Sequence, residues 1–410
     1  MSSPTTAAAQ RSLTLIVVCG CLISLISFGV RSSYGLFNNP MTEAHNWGRD
    51  IFALSIAIQN LVWGLGQPFA GALADRYGPA RVLVGGAFLY AAGVILTPYS
   101  DAPWMLHLTA GVLVGLGLSG ATFGIVLAGF ARFMTPNRRT WAAGIATASG
   151  SLGQFLFAPM AGSFIAGYGW AMALVLLGAF MLVVPLLAVA LSGGQRPGST
   201  GGHGDDMGLG QTLAHACGHP SYQLLVAGFF VCGFHVAFIT VHLPPYLADL
   251  GLDPGLAAWS VALIGLFNIV GSYGSGVLAG RFPHRYILCF IYAGRAVVIS
   301  LFIAFPVTPF SVLLFSAAMG ILWLSTVPPT SGLVVTMFGA RHLGTLFGIA
   351  FLSHQVGAFI GVWMGGVLYE TTHSYDVVWW VSIALGVFAA VVHWPIRERA
   401  AERLATQPAE

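Results

Sequence analysis

Twelve stretches of this chain, each 18 to 28 residues long, are nearly free of charge, and that pattern leaves few folds open. About 20 apolar residues in one helix cross the ~30 Å hydrocarbon core of a bilayer. In hydrocarbon the backbone must satisfy its own polar groups, so a spanning segment is a helix or part of a closed barrel. The runs fall at 13–38, 51–74, 82–99, 104–131, 140–165 and 170–192, then at 221–247, 256–279, 286–305, 308–333, 343–368 and 376–395. Runs of this length predict an all-α membrane protein with twelve transmembrane helices. Over the 410 residues only 7% are charged and 57% hydrophobic, whereas soluble domains carry about 25% charge. A soluble fold of this size could not cover its surface with so few charges. The first run, from Leu13 to Phe28, has no small-residue cleavage pattern and reads as a retained helix rather than a leader.

Between the two sets of six lies SGGQRPGSTGGHGDDMGLGQ, Ser192 to Gln211, which is Gly-rich and without periodicity. The expected organisation is therefore a six-helix bundle at 1–192, a cytoplasmic linker at 193–219, a second bundle at 220–395 and a cytoplasmic tail at 396–410. All 16 basic residues are Arg. With the N-terminus inside, cytoplasmic segments carry Arg11, Arg76, Arg81, Arg132, Arg281, Arg285 and others, while the outside loops carry only Arg49 together with acids such as Asp249 and Glu370. That asymmetry sets the orientation, with both termini cytoplasmic. A bacterial inner (plasma) membrane is the expected location. The net charge of +3 without clustering gives no reason to expect a nucleic-acid partner. The five Cys have no metal-ligand spacing. No metal or cofactor is expected.

The two sets echo each other. GALADRYGPAR (Gly71 to Arg81) follows the second helix, and GVLAGRFPHR (Gly276 to Arg285) follows the eighth. Internal repeats of this kind build alternating-access carriers, whose substrate sits between the halves near the midplane. The first of these loops resembles the signature loop of the major facilitator superfamily, and the second its degenerate copy; the resemblance implies that family's fold over the whole chain. Three further stretches are similar to the monocarboxylate porter group, which includes lactate carriers and oxalate/formate exchangers. They are SFGVRSSYGLF (Ser27 to Phe37), AAGIATASGSLGQFLFAP (Ala142 to Pro159) after Arg138 and Arg139, and ITVHLPPYLADLGL (Ile239 to Leu252). One departure stands out. Many animal members carry an acid and an Arg in helix eight, where this chain has Asn268 and Ser272; the group's helix-one Lys aligns nearer Ser32 than Arg31.

Several residues carry possible chemistry. Arg31 lies within an apolar run, about seven residues or ~10 Å below the outer end of the first predicted helix. A cation there costs at least ~2.5 kcal/mol unless it is paired or wetted, and no acid lies in the interior of any predicted helix. It reads as an anion-binding guanidinium, able to grip a carboxylate by two bonds; snorkelling or bonding to carbonyls is the competing reading. Tyr34 shares its face. Arg295, near mid-depth of helix nine, reads either as a structural residue or as a second cation, which would favour a dicarboxylate. His235 and His242 share a face of helix seven and read as cavity lining or proton carriers, against buried hydrogen-bonded histidines. His354 and Gln355 on helix eleven and Asn268 on helix eight are further candidates for the lining. Polar stripes at Asn60, Trp63 and Gln67, at Thr147, Ser151 and Gln154, and at Asn268, Ser272 and Ser275 must face protein or water. The paired Pro328 and Pro329 predict a kink in helix ten. Asp75, Arg76, Arg81 and Arg281 are expected to gate the cytoplasmic face by charged contacts.

The leading expectation is a secondary transporter of a small organic anion, a monocarboxylate such as lactate or pyruvate, driven by protons and acting as a monomer. Without Lys no Gly-x4-Gly-Lys nucleotide loop exists, so energy comes from gradients. A dicarboxylate or formate-type exchanger and an efflux pump for amphipathic compounds are the alternatives. An enzymatic reading rests only on Gly117-Leu118-Ser119-Gly120, which close helix packing explains better.

Overall fold

Water is absent from the bilayer core, so each segment there pairs its own N–H and C=O groups, and the chain does so by helices alone: no strand occurs among the described residues. The structure, a computed structural model, describes residues 13–134, 136–193, 209–339 and 343–399. Ten helical segments are long and apolar enough to cross a membrane. Two local features raise this to the expected twelve. The continuous helix Pro136–Met181 is two helices that meet at Gly169, where φ is 79°, a left-handed value that favours glycine. The 29-residue helix Arg49–Tyr77 falls outside the apolar set because one of its faces carries Ser55, Gln59, Asn60 and Gln67.

The spans are α1 (Leu13–His45), α2 (Arg49–Tyr77), α3 (Pro79–Tyr99), α4 (Pro103–Ala131), α5 (136–168), α6 (170–191), α7 (Pro220–Asp249), α8 (Pro254–Ala279), α9 (His284–Ala304), α10 (Pro309–Phe338), α11 (Leu343–Thr372) and α12 (Asp376–His393). Most boundaries fall within a few residues of the expected runs. The largest difference is at the end of α1, which continues past Ser32 through a 3-10 turn, Tyr34–Phe37, and a second helix, Asn38–His45. Arg31 therefore lies roughly 20 Å from the outer end by helical rise, twice the expected depth.

Two large cores form. One joins α1 to α6 through residues such as Ile23, Phe52, Tyr90 and Leu177 and runs on across the interface to Ala237, Val241, Ala358 and Val362 of α7 and α11. The other joins α7 to α12 through Phe238, Tyr292, Phe315 and Trp379. Part of the segment expected to be linker is helical, Leu209–Gly218. Ala216 is buried and Leu213 packs against the second core, so this turn of chain has an apolar face to cover. The halves meet where α2 packs on α11, α5 on α8, and the outer part of α1 on α7.

Among the described residues, hydrogen bonds join the halves near mid-depth and at the outer face. Gln154 of α5 donates to the Val261 carbonyl of α8 (3.0 Å), and Asn268 of α8 donates to Ser151 of α5 (2.8 Å). Two of the polar stripes read from sequence thus find each other. At the outer face Arg49 forms a two-pronged ion pair with Asp249, both N–O distances 2.6 Å, and its backbone N–H donates to Glu370 (2.7 Å). A Cβ on Gly366 would press on Ala53 and Asp50, whereas one on Gly71, Gly144 or Gly348, toward the cytoplasm, would meet nothing within 4 Å. The molecule is shut toward the outside.

Candidate substrate-binding site

The break in α1 places Arg31 at the end of a helical segment whose last turn is partly held by Ser32 and Ser33, each donating to the Gly29 carbonyl at 3.0 Å. From there the guanidinium enters a narrow crevice between the halves. Arg31, Tyr34, Ile56, Gln59 and Asn60 line it from the first half; Ala237, Thr240 and Val241 line it from α7. No acid is among these lining residues. Arg31 Nη2 donates to Asn60 Oδ1 at 2.7 Å, and Asn60 Nδ2 donates to the Ile56 carbonyl at 2.8 Å. Arg31 Nε and the Tyr34 hydroxyl are buried without a hydrogen-bond partner. The guanidinium carbon lies 4.9 Å from the Trp63 ring centroid and 5.9 Å from that of Phe28. The cation is oriented by a neutral amide and an aromatic face rather than cancelled by a carboxylate.

One turn toward the cytoplasm an aromatic series crosses between the halves. Trp63 meets Phe351 edge to face at 5.2 Å, and Phe351 stacks on His354 at 5.8 Å. His354 Nδ1 lies 3.2 Å from Gln355 Oε1, and the fully buried Gln355 amide nitrogen has no partner. Gln355 packs beside Gly64 of α2, the helix that carries Asn60. Arg31, Tyr34, His354 and Gln355 thus gather around the contact of α1, α2, α7 and α11.

The other candidates lie elsewhere. Arg295 is fully buried against the break in α10, where Pro309–Leu322 gives way to Val327–Phe338. Its Nε and Nη2 donate to the Leu322 carbonyl (3.1 and 2.8 Å), and Nη2 also reaches the Trp323 carbonyl. That is the carbonyl-bonded arrangement, away from the crevice. Asn268 serves the same break from the other side, accepting from the Leu324 N–H at 2.9 Å. Pro328 and Pro329 sit in the first turn of the second half-helix, where no intrahelical donor is needed, so the break precedes them. His235 and His242 are fully buried inside the second bundle. Nε2 of His235 lies 2.8 Å from the Ser382 carbonyl, and Nε2 of His242 lies 2.8 Å from the Val362 carbonyl. Asp75, Arg76, Arg81 and Arg281 are exposed at the cytoplasmic ends, where Arg132 donates to the Ala74 and Asp75 carbonyls. Among the described residues, an ion pair bridges the halves at the outer face, Arg49 with Asp249. Sequence reading missed it, although a lone outside Arg among outside acids was the available signal.

The twelve-helix arrangement with a crevice between two six-helix halves is matched by sequence and by fold. The profile of the Major Facilitator Superfamily matches residues 20–361 and 225–409. The chain belongs to the Major Facilitator Superfamily. It is a multi-pass membrane transporter and not an enzyme. An uncharacterized MFS-type transporter of Bacillus subtilis, YcxA, is 25% identical over 376 residues, 88% of this chain and 90% of the relative. Monocarboxylate transporter 13 of Rattus norvegicus is 27% identical over 375 residues, covering 88% of this chain and 83% of the relative. Among solved structures, a bacterial homolog to the human lysosomal transporter Spinster, in an inward-facing and occupied conformation, superposes with a TM-score of 0.74 at 15% identity, covering 94% of this chain and 97% of that one. The resemblance read from the Gly71 to Arg81 loop is thus carried by the whole chain.

Proposed function

We propose that this carrier moves a small organic monocarboxylate, such as lactate or pyruvate, by alternating access, with Arg31 binding the carboxylate and a proton gradient supplying the drive. The single observation that carries the reading is Arg31: a cation deep in the bundle, with an unpartnered Nε and no acid in its crevice. A carboxylate reaching Nε and a free Nη proton would complete its donor set in a region of low dielectric. Asn60 holds one edge of the guanidinium and leaves the other open. The similarity to monocarboxylate transporters supports the same substrate class. The dicarboxylate alternative needs two cations at the site, and Arg295 is committed to backbone carbonyls instead.

The test is uptake of labelled L-lactate and pyruvate into proteoliposomes under an inward proton gradient. A hydrogen bond to a charged group contributes about 1.5–3 kcal/mol, so Arg31→Ala should weaken half-saturation by roughly 10- to 100-fold or abolish uptake. Arg31→Lys keeps the charge, loses the fork and should recover only part of it. Undiminished uptake by Arg31→Ala removes the carboxylate assignment and leaves the amphipathic-efflux alternative.

A further inference from the structure

The outer ion pair is wired to a buried imidazole. Arg49 Nη1, besides pairing with Asp249, donates to the Tyr375 hydroxyl at 3.2 Å. That hydroxyl lies 3.3 Å from His242 Nδ1, and His242 Nε2 lies 2.8 Å from the Val362 carbonyl of α11. The chemistry of the two ends fixes the direction of every bond between them. A carbonyl can only accept, so Nε2 carries a hydrogen; in the neutral ring Nδ1 then holds a lone pair. Arg49 can only donate, so the phenolic oxygen accepts from it and sends its own proton to Nδ1. The series reads Arg49 to Tyr375 to His242 to Val362, and each donor has its acceptor. His242 and Tyr375 are buried, at 0% and 2% exposure, so no solvent takes part.

We propose that His242 is the proton-binding site of this carrier and that the closed outer gate accepts only its neutral form. This rests on the reading of the chain as a proton-driven transporter. A proton added at Nδ1 turns that nitrogen into a donor. The Tyr375 hydroxyl would then face two donors, Arg49 and His242, and its own proton would lose its acceptor. A second cation would also stand one hydroxyl away from the Arg49 guanidinium. Both effects disappear when Arg49 and Asp249 part, so protonation and opening favour each other. The sign follows: the closed state binds the proton more weakly, so acid outside drives opening to the outside.

Other groups at this end also titrate. They are Glu43 and His45 at the end of α1, Asp50 on α2, Asp101 before α4, His107 on α4, Tyr246 and Asp249 on α7, Asp253 before α8, Tyr369 and Glu370 on α11, His373 just after it, and Tyr375 and Asp376 on α12, with the fixed cation Arg49 among them. Protonation of Asp249 or Glu370 would weaken the same latch directly, so the test must separate the His242 imidazole from the carboxylates and from the other histidines at this end.

The experiment needs no substrate, which keeps its failure distinct from failure of the carboxylate reading. Spin labels at Glu43→Cys and Leu250→Cys, with the exposed Cys217 replaced by Ser, report the separation of the outer ends in full-length protein in nanodiscs. Between about pH 8 and about pH 5, across the range where imidazole titrates, the outer-open fraction should rise about threefold or more. His242→Gln keeps Asp249 and Glu370 and should flatten that response. Should His242→Gln not fold, Tyr375→Phe removes the hydroxyl that relays the conflict and should weaken the response. A wild-type protein with no pH response, or a His242→Gln or Tyr375→Phe protein with the full one, overturns the proposal.

Discussion

Arg295→Met tests how this chain keeps a second cation in its interior. Arg295 donates three bonds to two carbonyls, those of Leu322 and Trp323, at the break in α10. Met fills much the same volume and donates nothing. Two buried carbonyls would then be orphaned, at about 1–3 kcal/mol each. The loss is partly offset because the buried guanidinium, whose Nη1 has no partner, is no longer held away from water. The net expectation is a destabilisation of about 2–4 kcal/mol, a fall of roughly 5–10 °C in apparent melting temperature by the scaling for larger domains. Lys is a point charge and cannot fork between two carbonyls, so Arg295→Lys should recover less than half. The assay is intrinsic-fluorescence melting of purified protein with and without lactate. The shift produced by lactate, which reports native-state binding, should survive in both variants. A variant that melts like wild type but loses the lactate shift would refute the structural assignment and return Arg295 to the substrate path.

Two further outcomes follow from contacts between the halves. Gly366→Val puts a branched side chain against Ala53 and the Asp50 backbone, so the outer face cannot close; net uptake should fall by about tenfold or more while lactate still protects from the outside, read by proteoliposome flux and melting together. Asn268→Leu removes the acceptor for the Leu324 N–H and the donor to Ser151, and should lower stability by about 2 kcal/mol, measured as a melting shift without change in the Arg31-dependent half-saturation.

Most of the fold was legible because hydrocarbon enforces it: a run long enough to span, between basic loops, has one outcome. The exceptions share a cause. The extension of α1 to His45 was hidden because Asn38, Asn39 and Glu43 are too polar to count toward a span, yet the segment Asn38–His45 is helical. The loop helix Leu209–Gly218 was hidden because its few apolar residues make sense only against a tertiary surface. Of the candidate site, Arg31 and Tyr34 were legible as an unpaired polar face in an apolar helix. The partners of Arg295 and His242 were not, because sequence gives the depth of a polar residue but not which carbonyl it will meet. Arg49 and Asp249, two hundred residues apart, meet only when the two halves close.

The irregular helices point to one principle behind both the site and the gate. Breaks or bulges fall in α1 after Ser32, in α4 at the wide turn His107–Leu113 and again at Thr122, in α6 at 182–183 and in α10 between Leu322 and Val327, and prolines interrupt the ladders of α2 (Pro68), α5 (Pro159) and α7 (Pro244 and Pro245). Each irregularity frees backbone groups, and the bundle must answer them. Gln59 donates to the Ala110 carbonyl in the wide turn of α4, and Arg295 and Asn268 serve α10. In α7 Pro244 lacks the N–H that would hold the Thr240 carbonyl, and the bare backbone of Gly35 closes on that oxygen. That last contact joins the two halves at the crevice itself, with Thr240 on one wall and Arg31 on the other. A backbone acceptor covered by a glycine exchanges its partner for water or ligand at little cost, whereas a ladder hydrogen bond does not. Loosened ladders in α1 and α7, which face each other across the crevice, let the two halves part there without breaking a helix.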